Sequence, residues 1–164
     1  REEDDSFVCN KLARTLWSSR PFADATIVCR DKSIPVHRSV LVASSPFFEV
    51  VFKGSMREAA ENRILMDDMA TKSVEAFLRY LYTGALAKDV DLGEILQLSH
   101  RYDVEPLARR CCIELVEGLC ESNVVKDMSV LRMFSGDDRL GPYVEMAVDR
   151  VSQNRPLTRK LCLG

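Results

Sequence analysis

Histidine, which nucleophilic triads and many zinc sites require, is scarce in this chain of 164 residues. It occurs twice, as His37 and His100, and neither lies in a recognisable nucleophile motif. A triad needs a histidine beside a serine or cysteine and an orienting acid. No glycine-rich phosphate loop is present either. We therefore predict that the chain has no catalytic residues and is not an enzyme.

The sequence also lacks the paired cysteines of a zinc site. No Cys-x-x-Cys spacing occurs, and the adjacent Cys111 and Cys112 would point about 100° apart on a helix, which is unsuitable for one tetrahedral ion. The cysteines do not form the regular framework of a small secreted domain. We predict reduced structural thiols, no metal and no cofactor. The six are Cys9, Cys29, Cys111, Cys112, Cys120 and Cys162.

Strong charge and long apolar runs are missing as well. The formal net charge is −2 and the isoelectric point is about 5.8, which argue against nucleic acid as the partner. No apolar run approaches the roughly 20 residues of a membrane span, and no signal peptide is visible. Because the chain begins with Arg1, we expect a fragment of a longer protein. The reduced thiols and the missing secretory signal predict that this protein is nuclear or cytoplasmic.

The stretch from Asp24 to Glu58 organises the chain. It contains β-branched residues at 25–29, a polar turn, and a second strand at 34–36, which together indicate a hairpin. Ser45 and Pro46 then predict a helix start, with a hydroxyl cap and a proline at the first helical position. The run 47–52 is apolar nearly all round, so we expect that helix to be buried on most sides and to end at Gly54.

Amphipathic helices account for most of the remaining chain. One is predicted at 7–18, followed after a short third strand at 63–66 by helices at 72–82, from Asp91, and from Glu105. We expect Thr71 and Asp91 to cap two of them, and Gly84 to end the helix at 72–82. A helical hairpin is expected over 122–153, and no pattern is evident from 154 to 164. The predicted class is α+β, mostly helical, with a small early three-stranded sheet.

Several motifs occur here in the order and spacing of one known family. They are Asp24, the run His37-Arg38-Ser39-Val40-Leu41, the run Ser45-Pro46-Phe47-Phe48, and Tyr82-Thr83-Gly84 after an apolar helix. The chain resembles the BTB/POZ domains, most closely those that follow a MATH domain. The resemblance implies a BTB/POZ domain at 7–120 and a three-box or BACK-like helical extension at 121–155, with flexible ends at 1–6 and 156–164.

Pairing with a second copy is the first function that the resemblance implies. The helix at 7–18 has an apolar face wider than packing on one side requires, although ordinary core packing would also account for it. In the resemblance, Asp24 and Arg38 form a charged pair near the same interface, and an exposed ion pair is the alternative. The implied interface residues are Val8, Cys9, Leu12, Ala13, Leu16, Asp24 and Arg38.

The second implied function is recruitment of cullin-3. Met56 and Glu58 match the hydrophobic-x-Glu motif of cullin-3-binding BTB domains, in which an apolar anchor is bordered by an acid. The resemblance adds Tyr102 to this set. The chain would then be a homodimeric ubiquitin ligase adaptor, with substrate held by a domain outside it. The alternative is a dimerisation scaffold of a transcriptional regulator that binds a corepressor.

Overall fold

The computed structural model describes residues 11–54 and 61–163. The chain divides into two compact units, the first ending at Val104 and the second beginning at Glu105. The first unit carries the sheet and five of the described helices, and the second is helical. The predicted class, a mostly helical α+β fold with a small early sheet, is confirmed.

The sheet has three strands in the order β2-β1-β3. Strands β1 (Ala25–Val28) and β2 (Ser33–Val36) form the predicted antiparallel hairpin. Strand β3 (Arg63–Leu65) lies parallel to β1 on its other side, with Ile27 opposite Ile64. Alternation along β3 follows the prediction, since Ile64 and the following Met66 are buried and Leu65 is exposed.

Five described helices complete the first unit. Helix α1 covers 11–18, and the others pack beside the sheet with a shared apolar core. Helix α2 contacts α3 and α4, and α4 contacts α5. Their bounds are α2 Arg38–Ser44, α3 Pro46–Lys53, α4 Thr71–Thr83 and α5 Leu92–Arg101.

Most of the predicted helix ends are confirmed. The Ser45 hydroxyl oxygen accepts the Phe47 N–H, and the Asp91 carboxylate accepts two backbone N–H groups in the first turn of α5. Gly84 ends α4 with φ of 66°, a left-handed conformation that glycine adopts without strain. The predicted Thr71 cap is wrong, because Ala70 is the N-cap and the Thr71 hydroxyl instead donates to the Asp31 carboxylate.

The second unit is built from helices α6 (Glu105–Glu117), α7 (Val124–Arg132), α8 (Gly141–Ser152) and α9 (Arg155–Leu163). Helix α8 contacts each of the other three, and α9 also contacts α7. The apolar positions predicted for the helical pair at 122–153 are buried apart from one, since Val148 is 46% exposed. The buried set is Val124, Met128, Leu131, Phe134, Val144, Ala147 and Val151.

Helix α9 differs from the expectation of a flexible end at 156–164. The Asn154 side chain accepts the Leu157 N–H, and its carbonyl accepts the Thr158 N–H, so this asparagine begins the helix. Leu157 is buried at 4% exposure and fastens α9 to its own unit. Among the described residues, no helix is both long and apolar enough to cross a membrane.

Candidate protein-interaction surfaces

Helix α3 carries the first candidate surface, and a dual role of Ser45 fixes where that helix begins. The Ser45 side-chain oxygen accepts the Phe47 N–H at 3.1 Å, while its hydroxyl donates to the Tyr102 carbonyl oxygen. Pro46 occupies the first turn, where its missing N–H costs no hydrogen bond. One serine therefore caps α3 and joins it to the end of α5.

Four aromatic rings pack together where α3 meets the rest of the first unit. They are Phe47 and Phe48 of α3, Phe77 of α4 and Tyr102 at the end of α5. The Tyr102 ring stacks on Phe48 with centroids 5.4 Å apart and meets Phe47 edge-on at 5.2 Å. Phe77 of α4 lies 5.8 Å from the Tyr102 ring on a tilted approach. Such offset and edge-to-face contacts add to the gain from burial. The cluster gives α3 a rigid base.

Two apolar side chains of α3 reach solvent, and one of them, Phe47, also contacts the base. Phe47 is 37% exposed and Val50, three residues on, is 67% exposed, so both lie on one face of the helix. The expectation that this helix is buried on most sides is therefore wrong for these two positions. We call the pair Phe47 and Val50 the α3 surface. It ends close to Gly54, the last described residue before 61.

Of the three residues predicted to bind cullin-3, the structure describes only Tyr102. Met56 and Glu58 lie outside the described residues. Tyr102 is 4% exposed, so the structure places it in the aromatic base and not on the surface where a partner would contact it. Burial raises the pKa of its phenol above the ordinary value, against a smaller lowering by hydrogen bonding to Arg101. The side chain therefore serves as neutral packing.

The first helix has exposed apolar residues of a different kind. Leu12 is 59% exposed, and Ala13 and Leu16 are half-buried, so packing among residues 11–54 and 61–163 leaves this face uncovered. Val8 and Cys9, assigned to the same predicted interface, lie beyond the described part of the chain. Phe22, which the sequence reading missed, is 97% exposed just after the helix. A lone aromatic in a turn gave no periodic signal that would have singled it out.

The predicted pair Asp24 and Arg38 is close in space, but the contact differs from the expected ion pair. The Asp24 carboxylate accepts the Arg38 backbone N–H at 2.8 Å, at the start of α2. The Arg38 guanidinium lies over the Phe52 ring, 5.0 Å from its centroid. The side chain of His37, the N-cap residue, makes no capping hydrogen bond. Asp24 instead supplies an acceptor for one of the backbone N–H groups that the start of a helix leaves unpaired.

His37 is a structural residue at the strand–helix junction, as predicted. Its Nε2 lies 2.7 Å from the Pro21 carbonyl oxygen and its Nδ1 lies 2.8 Å from the Tyr82 hydroxyl. A carbonyl can only accept, so Nε2 carries the proton and Nδ1 accepts from Tyr82 in the neutral ring. The Tyr82 oxygen in turn accepts the His37 backbone N–H at 2.8 Å. The polar atoms of the His37 ring and the Tyr82 hydroxyl therefore all have hydrogen-bond partners.

The thiols of α6 are buried as expected for core cysteines. Burial raises the pKa of Cys111 to about 12 and that of Cys112 to about 11, so both are protonated at neutral pH. Burial also raises the pKa of Cys29. Across residues 11–54 and 61–163, no group of three histidine, cysteine or acidic side chains is placed to hold a metal ion.

These features define a protein-interaction module, with exposed apolar side chains on a packed helical scaffold. The sequence model of the BTB/POZ domain family matches residues 14–119, and the chain belongs to this family. BTB and MATH domain-containing protein 42 of Caenorhabditis elegans is 30% identical over 155 residues, covering 92% of this chain and 36% of that protein. Human Kelch repeat and BTB domain-containing protein 3 is 33% identical over 110 residues, covering 66% of this chain and 18% of that protein.

Solved structures agree with this fold. The BTB domain of human Gigaxonin superposes with a TM-score of 0.52 at 23% identity, covering 63% of this chain and 86% of that one. The BTB domain of zebrafish PATZ1 gives a TM-score of 0.58 at 18% identity, covering 73% of this chain and 96% of that one. The two relatives above are far longer, since the chain spans 36% and 18% of their lengths.

Proposed function

We propose that this BTB/POZ chain is a homodimeric adaptor that recruits the N-terminal domain of cullin-3 to a ubiquitin ligase. A domain outside the chain would hold the substrate, and the chain itself would perform no chemistry. Two copies would present two substrate sites and raise avidity through effective concentration. The adaptor would act in the nucleus or cytoplasm.

The α3 surface is the observation that carries this proposal. Exposed apolar side chains rarely need explanation when they occur singly, but here two lie one helical turn apart on a rigid base. Interface hot spots combine an apolar anchor with a surrounding polar rim. The Lys53 ammonium and Glu49 carboxylate, 2.5 Å apart on the same helix, supply a polar border.

Met56 and Glu58 extend the same surface in this proposal. They follow Gly54, the C-cap of α3, by two and four residues in the sequence. Methionine is unbranched and adapts to an irregular apolar pocket, and a nearby carboxylate accepts hydrogen bonds at its edge. The role of Tyr102 is then to hold Phe47 in position from beneath rather than to contact cullin-3.

Self-association is proposed through helix α1. Leu12, Ala13 and Leu16 present an apolar strip that the described residues leave uncovered, and Val8 and Cys9 precede it on the same predicted helix. Asp24 and Arg38 are proposed to flank it. A second copy offers an identical strip, as a two-fold interface requires.

The BTB/POZ domain is proposed to extend over 7–120 and the helical pair over 121–155 to serve as a three-box or BACK-like extension. Helices α7 and α8 pack against each other within the second unit, which fits a helical hairpin that continues the domain.

Calorimetry with the N-terminal domain of cullin-3 tests the proposal. Met56→Ala combined with Glu58→Ala should weaken binding at least about thirtyfold, because truncating a hot-spot anchor costs upwards of roughly 2 kcal/mol. Leu65→Ala is the matched control, since Leu65 is 65% exposed on strand β3 and lies outside the proposed surface. It should leave the affinity unchanged.

Two results would reject the proposal. If wild-type protein binds a corepressor peptide and shows no heat with cullin-3, the scaffold alternative is correct. If the double variant binds as tightly as the wild type, the segment containing Met56 and Glu58 has no part in recruitment. Sedimentation of the double variant should still show a dimer, because these residues lie outside α1.

A further inference from the structure

An open cavity of about 430 Å³ lies in the first unit, and its lining includes neither residue of the α3 surface. Its apolar lining comes from Trp17 at the end of α1, Ala76 on α4, and Ala87 and Val90 in the segment that follows α4. Ala76 is 6% exposed. Nothing in the proposed cullin-3 or dimer surfaces uses this cavity.

The rim of the cavity is predominantly basic. Lys72 and Arg79, seven residues apart on α4, fall on one helix face, and Lys88 adds a third cation from the segment that follows α4. All three are exposed, and within the described residues none of them forms an ion pair. Charge on this rim is therefore available to a partner.

Two carboxylates also line the cavity, and one of them is already neutralised. The Glu75 carboxylate accepts from the Lys32 ammonium at 2.6 Å. Asp89 is exposed beside Lys88 on the loop wall. Three cations against one uncompensated acid leave the rim positive, although the chain as a whole has a formal net charge of −2.

Trp17 is held in place on the protein side of the cavity. The Arg20 guanidinium lies 4.4 Å from the Trp17 ring centroid, and the Tyr82 ring approaches at 5.4 Å with a 58° tilt. Tyr82 is itself fixed by the backbone and ring of His37. A large aromatic surface that is already ordered loses little entropy when a ligand packs on it.

We propose that this cavity binds a short acidic peptide segment of a partner protein, with one bulky apolar residue packing on Trp17. Lys72 and Arg79 are seven helical residues apart, or roughly 10 Å at about 1.5 Å per residue. An extended peptide advances about 3.3 Å per residue and alternates its side chains between two faces, so carboxylates four residues apart lie on one face, roughly 13 Å apart, within reach of both flexible cations. The occupant is an extended acidic strand rather than a basic or neutral one.

Trp17 is the single tryptophan of the chain, which makes the test direct. The probe is the synthetic peptide Ac-Glu-Glu-Leu-Asp-Glu-NH2, titrated into the full chain while tryptophan emission and the one indole N–H signal in NMR are followed. Both signals should shift saturably. Raising the salt concentration should weaken the binding, because exposed charge pairs are screened.

A charge-reversal pair identifies the site. Lys72→Glu with Arg79→Glu should weaken peptide binding about tenfold or more, since two attractive exposed pairs become repulsive. Arg155→Glu with Arg159→Glu is the matched control, because these two arginines also lie on one helix and line another cavity. The control should bind within about twofold of the wild type.

Three outcomes would overturn the proposal. One is an unshifted indole signal at millimolar peptide. Another is an equal loss in both charge-reversal pairs, which would indicate general attraction to basic protein. The last is that Ac-Glu-Glu-Ser-Asp-Glu-NH2 binds as tightly as the leucine peptide, which would show that no apolar residue packs on Trp17. Circular dichroism of each variant excludes unfolding, and the exposed positions make that control straightforward.

Discussion

Helices α1 and α3 both expose apolar side chains, but the two are supported differently. Helix α3 stands on a base of stacked rings, and its first turn is fixed by Ser45. Helix α1 is held at its C-terminal end, where the Trp17 ring contacts Arg20 and Tyr82. Leu12, five residues earlier on the same helix, is 59% exposed. Helix α3 therefore exposes apolar side chains on a supported helix, whereas the described residues leave an apolar face of α1 uncovered.

This difference separates two kinds of interaction. A preorganised surface such as α3 loses little entropy on docking, so it suits a partner that binds and leaves. An uncovered helix face gains stability from permanent burial, so it suits a second copy of the same chain. The two proposed functions should therefore fail independently when their own residues are changed.

Removing the base of α3 should give the largest effect. Phe48 is fully buried and stacks on Tyr102, so Phe48→Ala should lower the free energy of unfolding by about 3–5 kcal/mol. Urea denaturation measures it. Val50→Ala, on the exposed side of the same helix, should stay within about 0.5 kcal/mol of the wild type. Similar losses in both would mean that α3 is packed on both sides.

A charge placed on each surface tests their independence. Leu12→Asp should convert a micromolar dimer to monomer in sedimentation, because an unpaired charge at an apolar interface is costly. Val50→Asp should instead keep the dimer and weaken cullin-3 binding more than about tenfold. If Leu12→Asp remains dimeric, or if Val50→Asp dissociates the dimer, the assignment of the two helices is wrong.

The contact between His37 and Tyr82 depends on one hydroxyl group. Tyr82→Phe removes the hydroxyl that serves both the His37 backbone N–H and ring Nδ1, leaving buried polar groups without a partner. The free energy of unfolding should fall by about 1–3 kcal/mol. The control is Tyr80→Phe, two residues away on α4, whose hydroxyl has no hydrogen-bond partner within residues 11–54 and 61–163. That variant should match the wild type.

The smallest expected effect concerns the ion pair of Arg101 with Asp68, beside Tyr102 of the α3 base. Two nitrogens of Arg101 contact the two carboxylate oxygens of Asp68 at 2.9 and 2.7 Å, and this lowers the pKa of Asp68. Both side chains are about half exposed, so solvent screening limits the pair to under about 1 kcal/mol.

A lowered carboxyl pKa gives this pair a defined pH dependence. Its stabilisation is present above the unfolded pKa of about 3.9 and is lost as the pH falls through the lower folded value. Arg101→Met should therefore be slightly less stable than the wild type at pH 7, and the difference should shrink in acid. A difference that grows on acidification would contradict this origin.

Much of the fold followed from local signals in the sequence. The β-branched hairpin, the Ser45–Pro46 helix start and the Gly84 helix end depend on neighbouring residues, and each was predicted. Asn154 held a similar signal for α9, but its helix has few apolar positions and was missed. Thr71 was assigned wrongly because a partner distant in the sequence, Asp31, takes its hydroxyl.

The candidate surfaces were harder to predict because exposure depends on tertiary packing. An apolar run such as 47–52 indicates burial, and only the packed structure separates buried Phe48 from exposed Val50. Tyr102 was assigned to a contact through resemblance, whereas its stacking on Phe48 shows a supporting position. The cavity beside Trp17 joins α1, α4 and a loop, so no single stretch of sequence reveals it.

The parallel pairing of β1 with β3 has a consequence for the order in which the chain assembles. Hairpin β1–β2 closes through a four-residue turn, whereas β3 joins β1 only after the intervening chain with α2 and α3 has been drawn into a closed loop. The chain loses conformational entropy on closing such a loop before the non-local contacts form, so these pairings are slow. We expect the hairpin to form early and β3, the strand that follows the α3 segment, to dock late.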